Sequence, residues 1–395
     1  MKKIKLKEIF EIKKGKKVEP VDESCPNKVR YIQIEDLRDD RSVKYCFPDD
    51  NYVYANSESI IIAWDGANAG TVSYGLEGAI GSTLAVLEAK TKDIYIPFVG
   101  KFLQSKFQYL RDTCTGATIP HISRKALENL LIPMPSFEEQ VFISKILDKA
   151  QSLVETRKAQ IESLDQLTQS VFLEMFGDPI TNPKNWVKLT LPEFSSKDKY
   201  SIKRGPFGGA LKKEIFVKEG YLVYEQYHAI NDDFSMERYF IDEKKFEELK
   251  AFEVKPKDLI ISCSGVTLGR IAEIPLNAPK GIINQALLKL TLDSNKMNNT
   301  FFKFLFRHPN IQDILFGFSR GSGIPNFPPM SEVKSIEFIC PPIELQNDFE
   351  KKVNIILQKK TAFEKGLNKV EYFFSSIMQQ SFKGELFTKE KVTSL

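Results

Sequence analysis

EEQVFISKILDKAQSLVETRKAQIESLDQLTQSVFLEMF, residues 138–176, decides the fold, because the chain carries a second version of it near its end. A shift of 206 residues lays Gln140 on Gln346, Ile143 on Phe349, Ser170 on Ser376, Val171 on Ile377 and Phe176 on Phe382 without a gap. Apolar residues recur at alternating spacings of four and three, the seam of a coiled coil rather than a broad amphipathic face. The first seam reads Ile143, Leu147, Ala150, Val154, Ile161, Leu164, Val171 and Met175, interrupted by Arg157 and Thr168. The second reads Phe349, Val353, Ile356, Phe363, Leu367, Val370, Phe374 and Ile377, interrupted by Lys360 and Ser381. A helix with one narrow apolar stripe needs a partner, and the sister copy is the nearest candidate. Ser136 and Glu139 have capping-box spacing, and Gly177-Asp178-Pro179 is a stop. Such a helix makes a rod of roughly 55 Å at ~1.5 Å per residue.

The segments before each helix repeat one plan. SIIIAW (59–64) closed by Asp65-Gly66-Ala67-Asn68-Ala69-Gly70 parallels DLIISC (258–263), and Gly265 and Gly269 stand 199 residues after Gly66 and Gly70. YLVYEQYH (221–228) takes the place of YIQIEDL (31–37), both with strand-like alternation. KRGPFGGALKK (203–213) is a basic glycine loop answering Lys14-Gly15-Lys16-Lys17 at an offset of 190, and TCTGATIPH (113–121) is matched at 205 by the loop containing Arg320 and Asn326. The offset drifts while loops change length, then locks at 206 in the helices. The expected layout is a globular domain over 1–135, a helix over 136–180, a second domain over 181–341, and a second helix with its tail over 342–395. The expected class is α+β or α/β, with the helices pairing antiparallel so that the repeat becomes a pseudo-two-fold and the heads stand apart.

Composition narrows the function classes. Hydrophobic residues make up 42% of the 395, enough for two or three domain cores. The basic N-terminus never runs into an apolar block, so the expectation is a cytoplasmic protein away from membranes. Five separated cysteines without a CxxC pair argue against a zinc site or disulfide framework. Three histidines leave little material for histidine catalysis or metal binding. Net charge is only +4, yet residues 1–17 carry eight lysines against two glutamates, and residues 197–213 carry Lys197, Lys199, Lys203, Arg204, Lys212 and Lys213 against Asp198 alone. Local basic patches on a nearly balanced chain point to phosphate contacts by defined elements.

Domain, helix, domain, helix in this order resembles the specificity subunit of Type I restriction-modification systems over essentially the whole chain. The resemblance is carried by TGATIPHIS (115–123), IPMPSFEEQ (132–140), FLEMFGDPITNPKNWVKLTL (172–191), GPFGGALKKE (205–214) and GYLVYEQ (220–226). It implies that each globular half is a target recognition domain reading one part of a bipartite double-stranded DNA sequence. It also implies that the paired helices dock two adenine-N6 methyltransferase subunits, with restriction (translocase and nuclease) subunits joining a larger assembly. S-adenosylmethionine, ATP and Mg would then belong to those partners, and the chain would be no enzyme by itself.

The residues agree on the last point. Asn182-Pro183-Lys184-Asn185 lacks the aromatic of an Asn/Asp-Pro-Pro-Tyr methyltransferase motif, and the glycine pairs lack GxGxxG spacing and a P-loop lysine. A stand-alone modification enzyme is therefore disfavoured, leaving as the alternative a coiled-coil scaffold that joins two binding domains without DNA specificity. DNA-contact candidates lie on loops: Lys14, Lys16, Lys17, Thr115, Thr118, His121 and Arg124 in the first half, and Arg204, Lys212, Lys213, Gln226, His228, Arg270, Arg320 and Asn326 in the second. Trp64 reads first as core. Arg320, beside glycines, suits phosphate rather than bases, while structural hydrogen bonding and base contact stand level for Gln226 and His228.

Overall fold

A computed structural model describes residues 2–39, 41–116, 118–207, 209–265, 267–317 and 327–386. The chain forms two compact units, one from residues 1–159 and 363–395, the other from residues 160–362. Both boundaries fall inside the long helices, which run over Phe137–Phe176 and Ile343–Lys383.

In the first unit, strands Phe10–Lys14, Leu84–Ala89, Ser59–Ala63 and Val72–Tyr74 lie side by side in that order, all antiparallel. A second sheet orders Lys44–Cys46, Val29–Ile32, Gly78–Ile80 and Tyr54–Ala55, and its only parallel pair is Val29–Ile32 with Gly78–Ile80. The second unit repeats this strand for strand. Ile202–Arg204, Leu287–Leu290, Leu259–Ser262 and Ile271–Glu273 form one sheet; Phe240–Ile241, Tyr221–Tyr224, Gly281–Ile283 and Glu253–Val254 form the other, with Tyr221–Tyr224 and Gly281–Ile283 parallel. Mostly antiparallel sheets with helices apart from them make each head α+β. SIIIA is buried at every position because the sheet is covered on both faces, by Phe98, Val99 and Phe102 on one side and by Ile32, Leu37 and Ile80 on the other.

YIQIEDL is not one strand. The strand stops at Ile32, and Glu35–Leu37 closes as a 3-10 turn because the buried Asp36 carboxylate accepts from the Gln33 N–H at 2.6 Å and from Arg30 Nη2 at 3.0 Å. The counterpart behaves alike: the strand ends at Tyr224 and Gln226–Asn231 is helical.

The helices pair within each unit. In the first, Ile143 and Leu147 share a core with Phe382, Phe374 and Ile377, Arg157 stacks over the Phe363 ring at 4.4 Å, and Lys158 Nζ meets Glu371 at 2.9 Å. In the second, Phe172 and Phe176 pack with Phe349 and Val353, and Lys360 Nζ meets Asp165 at 2.6 Å. The start of one helix lies beside the end of the other, so they run antiparallel. Ile143, Leu147, Ala150, Val154, Phe349, Val353 and Ile356 are buried; Ile161, Leu164, Val171, Phe363, Leu367, Val370, Phe374 and Ile377 are half-buried. Both basic interruptions now have a reason: Arg157 covers the ring of Phe363, its equivalent in the repeat, and Lys360 is anchored by a carboxylate.

Each helix is seated on its own head by a buried glutamine. Gln140 Oε1 accepts from the Tyr95 N–H at 2.9 Å, while Nε2 donates to the Asp93 and Pro135 carbonyls at 3.2 Å each. Gln346 does the same with Asn298 N–H (2.9 Å), Lys296 (3.0 Å) and Pro341 (2.7 Å). The capping box forms as read, Ser136 N–H to Glu139 at 2.8 Å and Glu139 N–H to Ser136 Oγ at 3.3 Å. The far end of the other helix docks through an aromatic. Phe382 meets Phe98 and Phe102 edge-on, and its equivalent Phe176 meets Phe301.

Candidate nucleic-acid interface

The first head brings Lys14, Thr115 and His121 together at one end of the Phe10–Lys14 sheet. Ser59–Ala63 ends in the turn Asp65–Gly70, closed by Gly70 N–H to the Ala63 carbonyl at 2.9 Å; Gly66 (φ 90°) and Gly70 (φ 93°) take the left-handed backbone that the turn requires. The Thr115 loop is tied to this turn. Thr115 and His121 exchange backbone hydrogen bonds at 2.8 Å each, and Gly66 N–H reaches the Pro120 carbonyl at 2.9 Å. The Asp65 carboxylate sits between two of the candidates, Lys14 Nζ at 2.9 Å and His121 Nδ1 at 2.6 Å. Its partial burial opposes ionisation, but the hydrogen bonds from His121 and Lys14 outweigh that and hold the carboxyl below its ordinary range. Two arginines that sequence reading passed over join here, Arg38 bonding the Asn68 side chain and Arg111 the Ala67 carbonyl.

Lys16 and Lys17 project beyond Gly15, whose N–H is held by the Leu84 carbonyl at 2.9 Å. Thr118 is exposed at the loop tip, and Arg124 is exposed but paired with Glu128 at 2.8 Å. Trp64 is core, its side chain 8% accessible.

The second head reuses the frame with other side chains. Gly269 N–H bonds the Ser262 carbonyl at 2.9 Å, and Gly265 (φ 79°) and Gly269 (φ 76°) repeat the left-handed turn. Ser264 stands where Asp65 does. It receives the Gln226 amide, which donates to its Oγ at 2.8 Å and its carbonyl at 3.0 Å, and to the Ala286 carbonyl at 3.3 Å. Gln226 thus braces the turn. His228 is corrected outright: it lies on the helix after the strand, is 0% accessible, accepts from the Glu225 N–H on Nδ1 at 2.9 Å and donates from Nε2 to the Met236 carbonyl at 2.8 Å. No ring atom is left for a base.

Arg204 ends its strand where Lys14 ends the matching one, close enough to Cys263 to oppose, without overcoming, the burial that pushes that thiol up to about 12. Lys212, Lys213 and Arg270 are exposed. Arg320 and Asn326 lie outside the described residues. Among the described residues no helix is long and apolar enough to cross a membrane, and no cluster of three His, Cys, Asp or Glu could hold a metal ion.

Residues 1–165 match the family profile described as Type I restriction modification DNA specificity domain. That similarity, to a Type I specificity domain, covers the first 165 of the 395 residues. The chain is 33% identical over 184 residues to the MjaVIII specificity subunit of Methanocaldococcus jannaschii, a match covering 46% of the chain and 43% of that protein. It is 20% identical over 384 residues to the EcoBI specificity subunit of Escherichia coli, covering 91% and 80%. The first match thus spans under half of the relative's length. Two solved structures share the fold. The S subunit of the M. genitalium Type I system superposes with a TM-score of 0.56 at 18% identity, over 96% of both chains. A chain from a study of type I R-M complex assembly and conformational transition gives 0.61 at 15% identity, over 98% of both.

Proposed function

We propose that each head reads one part of a bipartite, asymmetric duplex DNA target, and that the paired helices dock two adenine-N6 methyltransferase subunits. The chain itself is non-catalytic on this reading. S-adenosylmethionine is bound by the methyltransferase partners, and ATP and Mg are used by restriction subunits in a larger assembly.

One observation carries the reading: both heads project side chains from the same sheet end and the same hydrogen-bonded turn, with a cation at the strand end in each, Lys14 and Arg204. A shared rigid root with different tips suits two readers of different half-sites, because base edges are read by projected side chains while cations hold phosphates. Lys14, Lys16, Lys17, Thr115, Thr118, His121 and Arg124 are the contact set of the first head. Arg204, Lys212, Lys213 and Arg270 are that of the second, with Arg320 and Asn326 kept from the sequence.

The test is enrichment of a randomised duplex library by the full chain, alone and with the methyltransferase of its own system. The expected product is a motif in two blocks whose span exceeds one helical turn, bound with an affinity that falls steeply with salt. Recovery of no motif, or of one contiguous block, refutes the reading and leaves the scaffold alternative.

A further inference from the structure

Phe207 is the most exposed large apolar side chain among the described residues, at 95% accessibility. It is not on a loose tip. Gly205 donates to the Leu287 carbonyl at 2.8 Å and lies so close to the Asn284 carbonyl that a Cβ has no room. Pro206 is buried, the Ala210 N–H closes a turn onto the Phe207 carbonyl at 2.9 Å, and Ala210 and Leu211 pack on the cluster of Val223, Ile241 and Phe246. The ring is therefore presented to water by a loop fastened on both sides, in a segment that also carries Arg204, Lys212 and Lys213.

The first head carries a different side chain at this position. Gly15 bonds the Leu84 carbonyl as Gly205 bonds Leu287, and is pressed against the Gly81 carbonyl as Gly205 is against Asn284. Counting outward from these roots, Lys14 answers Arg204 and Lys17 answers Phe207. Where one head offers an ammonium the other offers a phenyl ring. An ammonium suits phosphate. A ring has nothing to offer phosphate, but it can stack on a base or wedge between two base pairs, and flanking cations hold the backbone while it does so.

We infer that Phe207 is an aromatic wedge that enters the base stack of the duplex beneath the second head, with Arg204, Lys212 and Lys213 on the adjoining phosphates. This rests on the DNA-reading function proposed above. The test uses the full chain with its methyltransferase subunit and the duplex that the wild-type complex enriches from a random library of roughly 40 base pairs, several helical turns. Phe207→Ala should weaken binding to that duplex roughly 5- to 100-fold with an unchanged salt slope, since no counterion release is lost. Phe207→Trp should keep the affinity and lose indole emission when the duplex binds. Lys212→Ala, the contrasting variant, should lower the slope by about one.

Equal affinity of Phe207→Ala and wild type on the same duplex overturns the wedge while leaving DNA reading intact, as does undimmed Phe207→Trp emission in the bound complex. Loss of the methyltransferase from Phe207→Ala with DNA affinity retained also overturns it, in favour of a protein contact. A wild-type complex that enriches no duplex overturns the function and the wedge together.

Discussion

Gln140→Ala tests whether the helix is seated on its head by one amide. The side chain is 1% accessible and makes three hydrogen bonds, to Tyr95 N–H, Asp93 carbonyl and Pro135 carbonyl. Asp93 is exposed, so water can replace the amide at its carbonyl; the Tyr95 N–H and Pro135 carbonyl are half-buried and would be left short of partners. Each such group costs ~1–3 kcal/mol when unpaired, which places the loss near 3 kcal/mol. In a unit of this size that corresponds to roughly 6–12 °C of melting temperature. Calorimetry on the full chain, with Gln346→Ala as the matching change in the other unit, should show each variant lowering mainly the transition of its own unit. A Gln140→Ala protein that melts within about a degree of wild type would refute the reasoning, because an amide with three protein partners would then be energetically idle.

Phe382→Ala should cost ~3–5 kcal/mol in denaturant titration, since the ring packs edge-on against Phe98 and Phe102; a loss below ~1 kcal/mol would mean that the helix end does not need its anchor. His228→Ala should destabilise by about 3 kcal/mol, leaving the Glu225 N–H and Met236 carbonyl unpaired, while the sequence selected from a DNA library stays the same; a changed motif with full stability would return His228 to the recognition surface. Asp65→Asn should free Lys14 and His121 and raise affinity for non-target duplex, measured by anisotropy, at the expense of discrimination. Because the Asp65 carboxyl is held below its ordinary range, its stabilising effect is present above about pH 4 and fades as pH falls further. The stability difference between wild type and Asp65→Asn should be flat at neutral pH and shrink in acid.

The long helices were legible because a seam repeated over ten turns, and then repeated again 206 residues on, leaves few other structures open. What the seam could not tell is how unevenly it is buried: Ala150, Val154 and Ile356 are covered, whereas Ile161, Leu164, Leu367 and Val370 stay half-buried. YIQIEDL misled because its alternation continues past Ile32, while the capture of Gln33 N–H by Asp36 is a local event that periodicity does not record. His228 misled for the same reason, since the strand gives way to a helix at Glu225. Gln140 stood in plain sight in the EEQ lead-in, yet two of its three partners lie 45 and 47 residues upstream. Asp65 carried a weak signal, an acid opening a glycine turn between two basic segments. Only the fold brings Lys14 and His121 to it.

The pinched glycines at the loop roots have a mechanical outcome. A carbonyl wedged against Gly15 or Gly205 isolates the sheet from whatever hangs beyond it, so a new side chain at position 17 or 207 alters what the fingertip feels without shifting the hand. On the DNA-reading function proposed above, point changes at such tips would alter the preferred sequence while the architecture stands still.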